Sequence, residues 1–192
     1  MTSGTSCAVI ELMPKSAIDT VALPEKATFQ RNIEAKFKLA DLEAARNRAL
    51  NVGFHMISTS SQRDTYFAVR NGKLKLREEK VGARLFQYHG TEKGRYTIVA
   101  LAEPAALREM LGSALGIAGE IRKERTLLVR DNVRLHFDIV EGLGKFGEIE
   151  IVMADEAEED SARATLLEIL QLLHVQLQDV IAASYFDLMF HT

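Results

Sequence analysis

Hydrophobic and polar positions alternate with a period of two along much of the chain. Ile33, Ala35 and Phe37 fall on one side, and Asn32, Glu34, Lys36 and Lys38 on the other. That is the pattern of a strand with one strongly polar face. Further strands are predicted over about 54–59, 64–69, 73–79, 84–89, 95–101, 121–129, 133–140 and 146–153. Asn71-Gly72 reads as a two-residue hairpin turn, because both central positions of a type I′ turn take positive φ. Helical spacing replaces alternation in four places. Asp41 is placed as an N-cap ahead of Leu42, Ala45, Ala49 and Leu50, with Gly53 closing that helix. Pro104 introduces a helix over 105–115. The acidic cluster at 155–160 opens a longer one reaching Leu173, and a short helix is expected over 181–190. Many strands with few, short helices indicate a barrel or strongly curved antiparallel sheet, not a βαβ fold.

The polar faces carry full charges. Lys73, Lys75, Arg77 and Glu79 lie opposite Leu74 and Leu76; Lys123 and Arg125 share a face. Arg134, His136 and Asp138 oppose Leu135 and Phe137, and Glu148 and Glu150 oppose Ile149 and Ile151. Periodicity alone fits an open sheet with one solvated face. That is the commoner meaning of such alternation, but it also fits a sheet whose charged face turns inward while helices cover the apolar outside. The density of Lys, Arg, Asp and Glu favours the inward reading, in which ions in a restricted space need partners. A polyanion with divalent cations would supply them. Lysine and arginine grip phosphates, and carboxylates hold Mg²⁺ or Mn²⁺.

Composition narrows the partners. The 192 residues, 47% hydrophobic and 27% charged, suit one globular domain, and a net charge of -3 gives no general attraction to nucleic acid or anionic membrane. No apolar run reaches the roughly 18 residues of a membrane-spanning helix. The single Cys7 points to a reducing, cytoplasmic setting. Residues 1–30 show no sustained period and are expected to form a flexible extension, leaving one domain over 31–192. No nucleophile elbow, P-loop or zinc-type Cys/His set is present.

Several segments, in order, resemble the CYTH family, the triphosphate-tunnel metalloenzymes that include class IV adenylate cyclases and thiamine and inorganic triphosphatases. The most specific is Glu141-Gly-Leu-Gly-Lys-Phe-Gly-Glu-Ile-Glu150. Asn32-Ile-Glu-Ala-Lys36, Gln62-Arg-Asp-Thr-Tyr-Phe67, Lys73-Leu-Lys-Leu-Arg77, Arg122-Lys-Glu-Arg125, Arg134-Leu-His-Phe-Asp138 and Ser184-Tyr-Phe-Asp-Leu188 support it. The resemblance implies an α+β, mainly antiparallel fold: an eight-stranded closed β-barrel with peripheral helices. It implies Glu34, Asp138, Glu148 and Glu150 as metal ligands for Mg²⁺ or Mn²⁺, and Lys36, Lys75, Arg77, Lys123, Arg125 and Arg134 as phosphate-binding residues. Glu34, Lys36 and Glu148 would be catalytic. The implied activity is metal-dependent hydrolysis of a small-molecule triphosphate, with ATP cyclisation or non-catalytic binding as alternatives, by a monomer or homodimer. Two positions depart from the family pattern: Asn32 stands where the family has a carboxylate, and His89 where some cyclases have lysine.

Overall fold

The computed structural model describes residues 31–88, 96–154 and 158–190; the expected extension over 1–30 and the His89 position lie outside them. The chain runs β1 (Arg31–Lys38), α1 (Leu42–Asn51), β2 (His55–Phe67), β3 (Lys73–Glu79), β4 (Gly82–Tyr88), β5 (Tyr96–Leu101), α2 (Pro104–Leu115), β6 (Ile117–Arg130), β7 (Val133–Val140), β8 (Gly144–Met153), α3 (Glu159–Leu172), β9 (Val180–Ile181) and α4 (Tyr185–Phe190). All neighbouring strands pair antiparallel, in the order β5-β4-β3-β2-β6-β7-β8-β1-β9.

The expected closed eight-stranded barrel is not what forms. The sheet has nine strands and ends at β5 on one side and β9 on the other. Closure needs a continuous ladder of matched register around the ring. Here β9 offers two residues, both paired with β1, and the chain then turns into α4. The α+β, mainly antiparallel character holds. The open sheet is nonetheless concave: α4, six residues long, is reached by side chains from β1, β3, β6 and β7, through Lys36, Lys73, Lys123 and Asp138.

Local chemistry explains most element boundaries. The Asp41 carboxylate accepts from the Ala44 N–H at 3.0 Å, capping α1, and Gly53 closes it at φ 89°. Pro104 opens α2 where a missing N–H costs nothing. The two strands expected over 54–59 and 64–69 are one 13-residue strand, irregular between Met56 and Ser58. Asn71-Gly72 is not a two-residue turn. The link between β2 and β3 is the five residues 68–72, with only Gly72 of the pair at positive φ. The tight turns lie elsewhere: Lys80-Val81 joins β3 to β4, and Asp131-Asn132, with Asp131 at φ 53°, joins β6 to β7.

The apolar strand faces point outward and are covered by helices. Phe37, Leu128, Leu135, Phe137, Ile149 and Ile151 pack with Ala45, Ala49, Ile169 and Leu170 of α1 and α3. A smaller cluster of Phe67, Leu76 and Ala83 meets Leu107 and Leu111 of α2. A third, Tyr66, Ile121, Val140 and Phe146 with Tyr185 and Phe186 of α4, lies on the charged face and fills one end of it.

Gly147 shows how tightly β8 fits its neighbour. A Cβ there would sit 2.6 Å from Cζ of the fully buried Phe37 ring and closer still to Cε2. Gly147→Ala is expected to cost about 1–3 kcal/mol by overpacking. Urea unfolding should show a lower midpoint with unchanged slope, and the penalty should shrink in a Phe37→Leu background.

Candidate functional site

The site is the concave face, and strand register assembles it. Lys36 of β1 stands opposite Glu148 of β8, which stands opposite His136 of β7. Asp138 is opposite Arg125, and Gln62 lies between Glu79 and Lys123. Because paired residues of adjacent strands share a face, the polar sides of β1, β2, β3, β6, β7 and β8 form one charged surface.

Two aspartates organise its centre. Asp138 is fully buried and takes a bidentate pair from Arg125 at 2.7 and 2.6 Å, plus the Tyr185 hydroxyl at 2.8 Å. Asp64 takes a bidentate pair from Arg77 at 2.7 and 2.8 Å, with Lys75 Nζ at 3.6 Å. Lys123, 6% exposed, sits between them at 3.9 and 3.8 Å, outside hydrogen-bonding distance of either. Its ammonium stacks over the Tyr185 ring at 5.1 Å, as does that of Lys36 at 4.7 Å. Glu148 joins Lys36, at 3.0 Å, to Arg125, at 2.6 Å. In this belt Lys36, Lys75, Arg77, Lys123 and Arg125 face Asp64, Asp138 and Glu148, with Glu34 acting on Lys36 and Lys75 from the exposed side, so sheltered positive charge is in excess.

The ionisation equilibria follow. Burial alone would raise Asp64, Asp138 and Glu148, but the surrounding cations overcome it. Asp138 is held at about 2, Asp64 lower still, and Glu148 well below the ordinary carboxylate range. Lys123 is pushed well below an ordinary lysine by burial and by Arg125 and Arg77, only partly countered by the two aspartates. Its charge is the least compensated in the belt.

The β1 side differs. Glu34 is opposite Glu150 and its side chain reaches solvent, yet its carboxyl is raised by loss of surrounding water and by Glu148 and Glu150, against the pull of Lys36. Glu150 accepts from Asn32 Nδ2 at 2.8 Å and lies 3.2 Å from His136 Nε2 and 3.5 Å from Arg134. Burial and Arg125 lower His136 despite Glu150. Asn32 Oδ1 is buried without a hydrogen-bond partner. Among the described residues no three His, Cys, Asp or Glu side chains converge on one point as a ready-made metal site. The structure turns Asp138 and Glu148 toward Arg125 and leaves Glu34, Glu150 and Asn32 as neighbours.

The residues expected at the site are drawn into these contacts except Glu34, which is exposed and placed there by its register opposite Glu150, and Arg134, which is 36% exposed in its side chain and touches Glu150 at the edge. Sequence reasoning missed Asp64, Gln62 and Tyr88, whose hydroxyl lies 3.0 Å from Lys75 Nζ. Splitting β2 in two left Gln62 in the gap between the expected strands, whereas Asp64 lay within the strand expected over 64–69 and was not singled out.

The CYTH domain model matches residues 30–185, which includes every strand and contact just described. The chain belongs to the CYTH family. CYTH proteins are generally divalent-metal-dependent and bind small triphosphates. A relative in Methanocaldococcus jannaschii, named "Putative adenylate cyclase MJ0240", is 28% identical over 173 residues, covering 81% of this chain and 97% of its own. Among solved CYTH-like folds, an adenylate cyclase candidate from Vibrio parahaemolyticus superposes with TM-score 0.76 at 18% identity, covering 84% of this chain and 99% of its own. The PH1012 protein of Pyrococcus horikoshii superposes with TM-score 0.72 at 19% identity, covering 82% and 98%. Both establish the shared fold. No helix among the described residues is long and apolar enough to cross a membrane.

The Asp138 pairing makes a measurable demand on stability. Asp138→Asn removes the bidentate partner of Arg125, leaving it only Glu148 at 2.6 Å in a sheltered site, and is expected to cost about 3 kcal/mol near neutral pH. The folded carboxyl titrates at about 2, below the roughly 3.9 of an unfolded chain. Its contribution is therefore complete above about pH 4 and is lost as pH falls through 2. Urea unfolding of both proteins should show the gap narrowing below pH 4; a pH-independent gap would contradict this.

Proposed function

We propose that this CYTH protein is a divalent-metal-dependent hydrolase of a triphosphate bound along the concave face. The observation that carries the reading is the excess of buried cations over carboxylates around Lys123. An extended polyanion is the ligand that compensates several such cations at once. Lys36, Lys75, Lys123, Arg77 and Arg125 come from three strands, β1, β3 and β6, so successive phosphates can meet different walls. Arginine offers paired donors and lysine a point charge.

The residues on the β1 side fit a hard cation. Glu34 carries a carboxyl on which desolvation, Glu148 and Glu150 outweigh the pull of Lys36 and Lys75, Asn32 Oδ1 is an oxygen without a donor, and Glu150 is hydrogen-bonded to Asn32 and is the register partner of Glu34. An all-oxygen set of this kind suits Mg²⁺ or Mn²⁺. When bound, such an ion would neutralise phosphate charge and acidify a coordinated water. The chain's own residues do the rest. Lys36, Lys123 and Arg125 hold the phosphates and offset negative charge on the transferred group. Water attacks the terminal phosphorus, the bridging P–O bond breaks, and orthophosphate leaves with its proton passed to a carboxylate and then to solvent.

A second reading is favoured by the name of the archaeal relative: ATP cyclisation, in which the ribose 3′-hydroxyl attacks the α-phosphorus and pyrophosphate leaves. Both reactions use the same cationic belt.

Incubation with Mg²⁺ or Mn²⁺ and ATP, thiamine triphosphate or tripolyphosphate is expected to release orthophosphate. Cyclic AMP with pyrophosphate would favour the second reading, and saturable binding without product would identify a binder. Lys36→Met should lower kcat/KM by about 10²-fold, the scale of removing one positioned donor. Unchanged turnover would remove Lys36 from the site.

A further inference from the structure

The charged face has two unlike ends. On the α4 side β2, β6, β7 and β8 each contribute an aromatic or apolar residue, Tyr66, Ile121, Val140 and Phe146, sealed by Tyr185 and Phe186. Moving away from α4 along β2 the face runs Tyr66, Asp64, Gln62, Ser60. The first three are buried, Ser60 is half-buried and Ser58 is exposed. On β3 the sequence is Lys73, which pairs with Asp187 of α4, then Lys75, Arg77 and Glu79. The cationic belt thus lies between a sealed end and an open end, and Gln62, Ser60, Glu79 and Arg84 line the open one.

At that end Gln62 is 5% exposed, and its Oε1 has no hydrogen-bond partner. The amide is not free to exchange its two ends. Nε2 donates to Glu79 Oε1 and to Ser60 Oγ at 3.2 Å, and a flipped amide would set its oxygen against the Glu79 carboxylate. Glu79 is fixed in turn by Arg84 on its other oxygen. The orphaned acceptor is therefore oriented, and Gln62 is the register neighbour of Lys123. A buried acceptor left unmet costs as much as a lost hydrogen bond, so its retention points to a donor brought from outside.

We infer that Gln62, held by Glu79, forms a recognition subsite for an N–H or O–H donor on an organic head group joined to the phosphate chain, so that the substrate class is an organic triphosphate and not inorganic tripolyphosphate. This rests on the reading of the cationic belt as the triphosphate site. An amino-bearing base or a sugar hydroxyl would each supply such a donor. The phosphates lie deep, toward Lys123 and Lys75, and the head group remains at the open end. Tripolyphosphate would fill the belt and leave Gln62 Oε1 unmet.

The test is calorimetric binding of ATP, purine riboside triphosphate, 3′-deoxy-ATP and tripolyphosphate, with Mg²⁺, to the wild-type chain and to Gln62→Met, which keeps length and removes the acceptor. The ratio of tripolyphosphate Kd to ATP Kd is expected to fall at least tenfold in the variant. In the wild type, loss of affinity on removing the 6-amino group assigns the donor to the base, and loss on removing the 3′-hydroxyl assigns it to the sugar. Triphosphates that bind with a ratio unmoved by Gln62→Met, or wild-type affinities indifferent to both donors, would overturn the subsite while leaving the belt intact. Failure of every triphosphate to bind would overturn both. Because the wild-type arm needs no mutant, a poorly folded variant does not rescue the inference.

Discussion

Everything at this site depends on two buried aspartates holding more positive charge than they neutralise. Asp64 and Asp138 each accept a bidentate arginine and each lie just under 4 Å from the same lysine, Lys123. Ions removed from water are tolerated when paired and are costly otherwise. The arginines are satisfied and orient the belt, whereas Lys123 is left with incomplete compensation. That imbalance is what a polyanion would relieve, and it explains why so many ionised groups persist in a region where apolar packing would stabilise the fold more simply.

The fold supplies the shelter without closing a ring. Apolar strand faces turn outward onto α1, α2 and α3, which forces the charged faces together on the concave side. α4 then folds over one end, with Tyr185 touching Asp138 and lying against Lys36 and Lys123. A short helix thereby replaces the strand pairing a closed barrel would have used; the sheet ends in the six-residue β5 on one side and, on the other, in β9, which pairs with only Lys36 and Phe37 of β1.

Much of this was legible in the sequence because alternation is a direct record of which side a residue faces. Lys36, Lys75, Lys123, Arg125 and Glu148 fall on the charged face as their parity requires. Closure was not legible: whether the last strand meets the first depends on the length of β9 and the path of α4, and two residues of Val180-Ile181 carry no periodic signal. The division of labour among the carboxylates was equally hidden. Parity puts Asp138 and Glu150 on one face, but only register shows that Asp138 is opposite Arg125 while Glu150 is opposite Glu34. Asp64 lay in the strand expected over 64–69 but escaped notice because its neighbours in parity are Gln62 and Tyr66, so its face carries no run of charge. The Asn71-Gly72 turn misled for a related reason, since turn propensity is local and the loop length was set by where the sheet ends.

The most direct measurement of the central claim is a crystal structure of the protein with a non-hydrolysable triphosphate analogue and Mg²⁺. Phosphate oxygens within hydrogen-bonding distance of Lys123 and of at least Lys75 or Arg125, between α4 and Gln62, are the predicted result. An analogue bound on the helix-covered outer side, or a concave face whose Asp64 and Asp138 pairs are unchanged and untouched by phosphate, would contradict it.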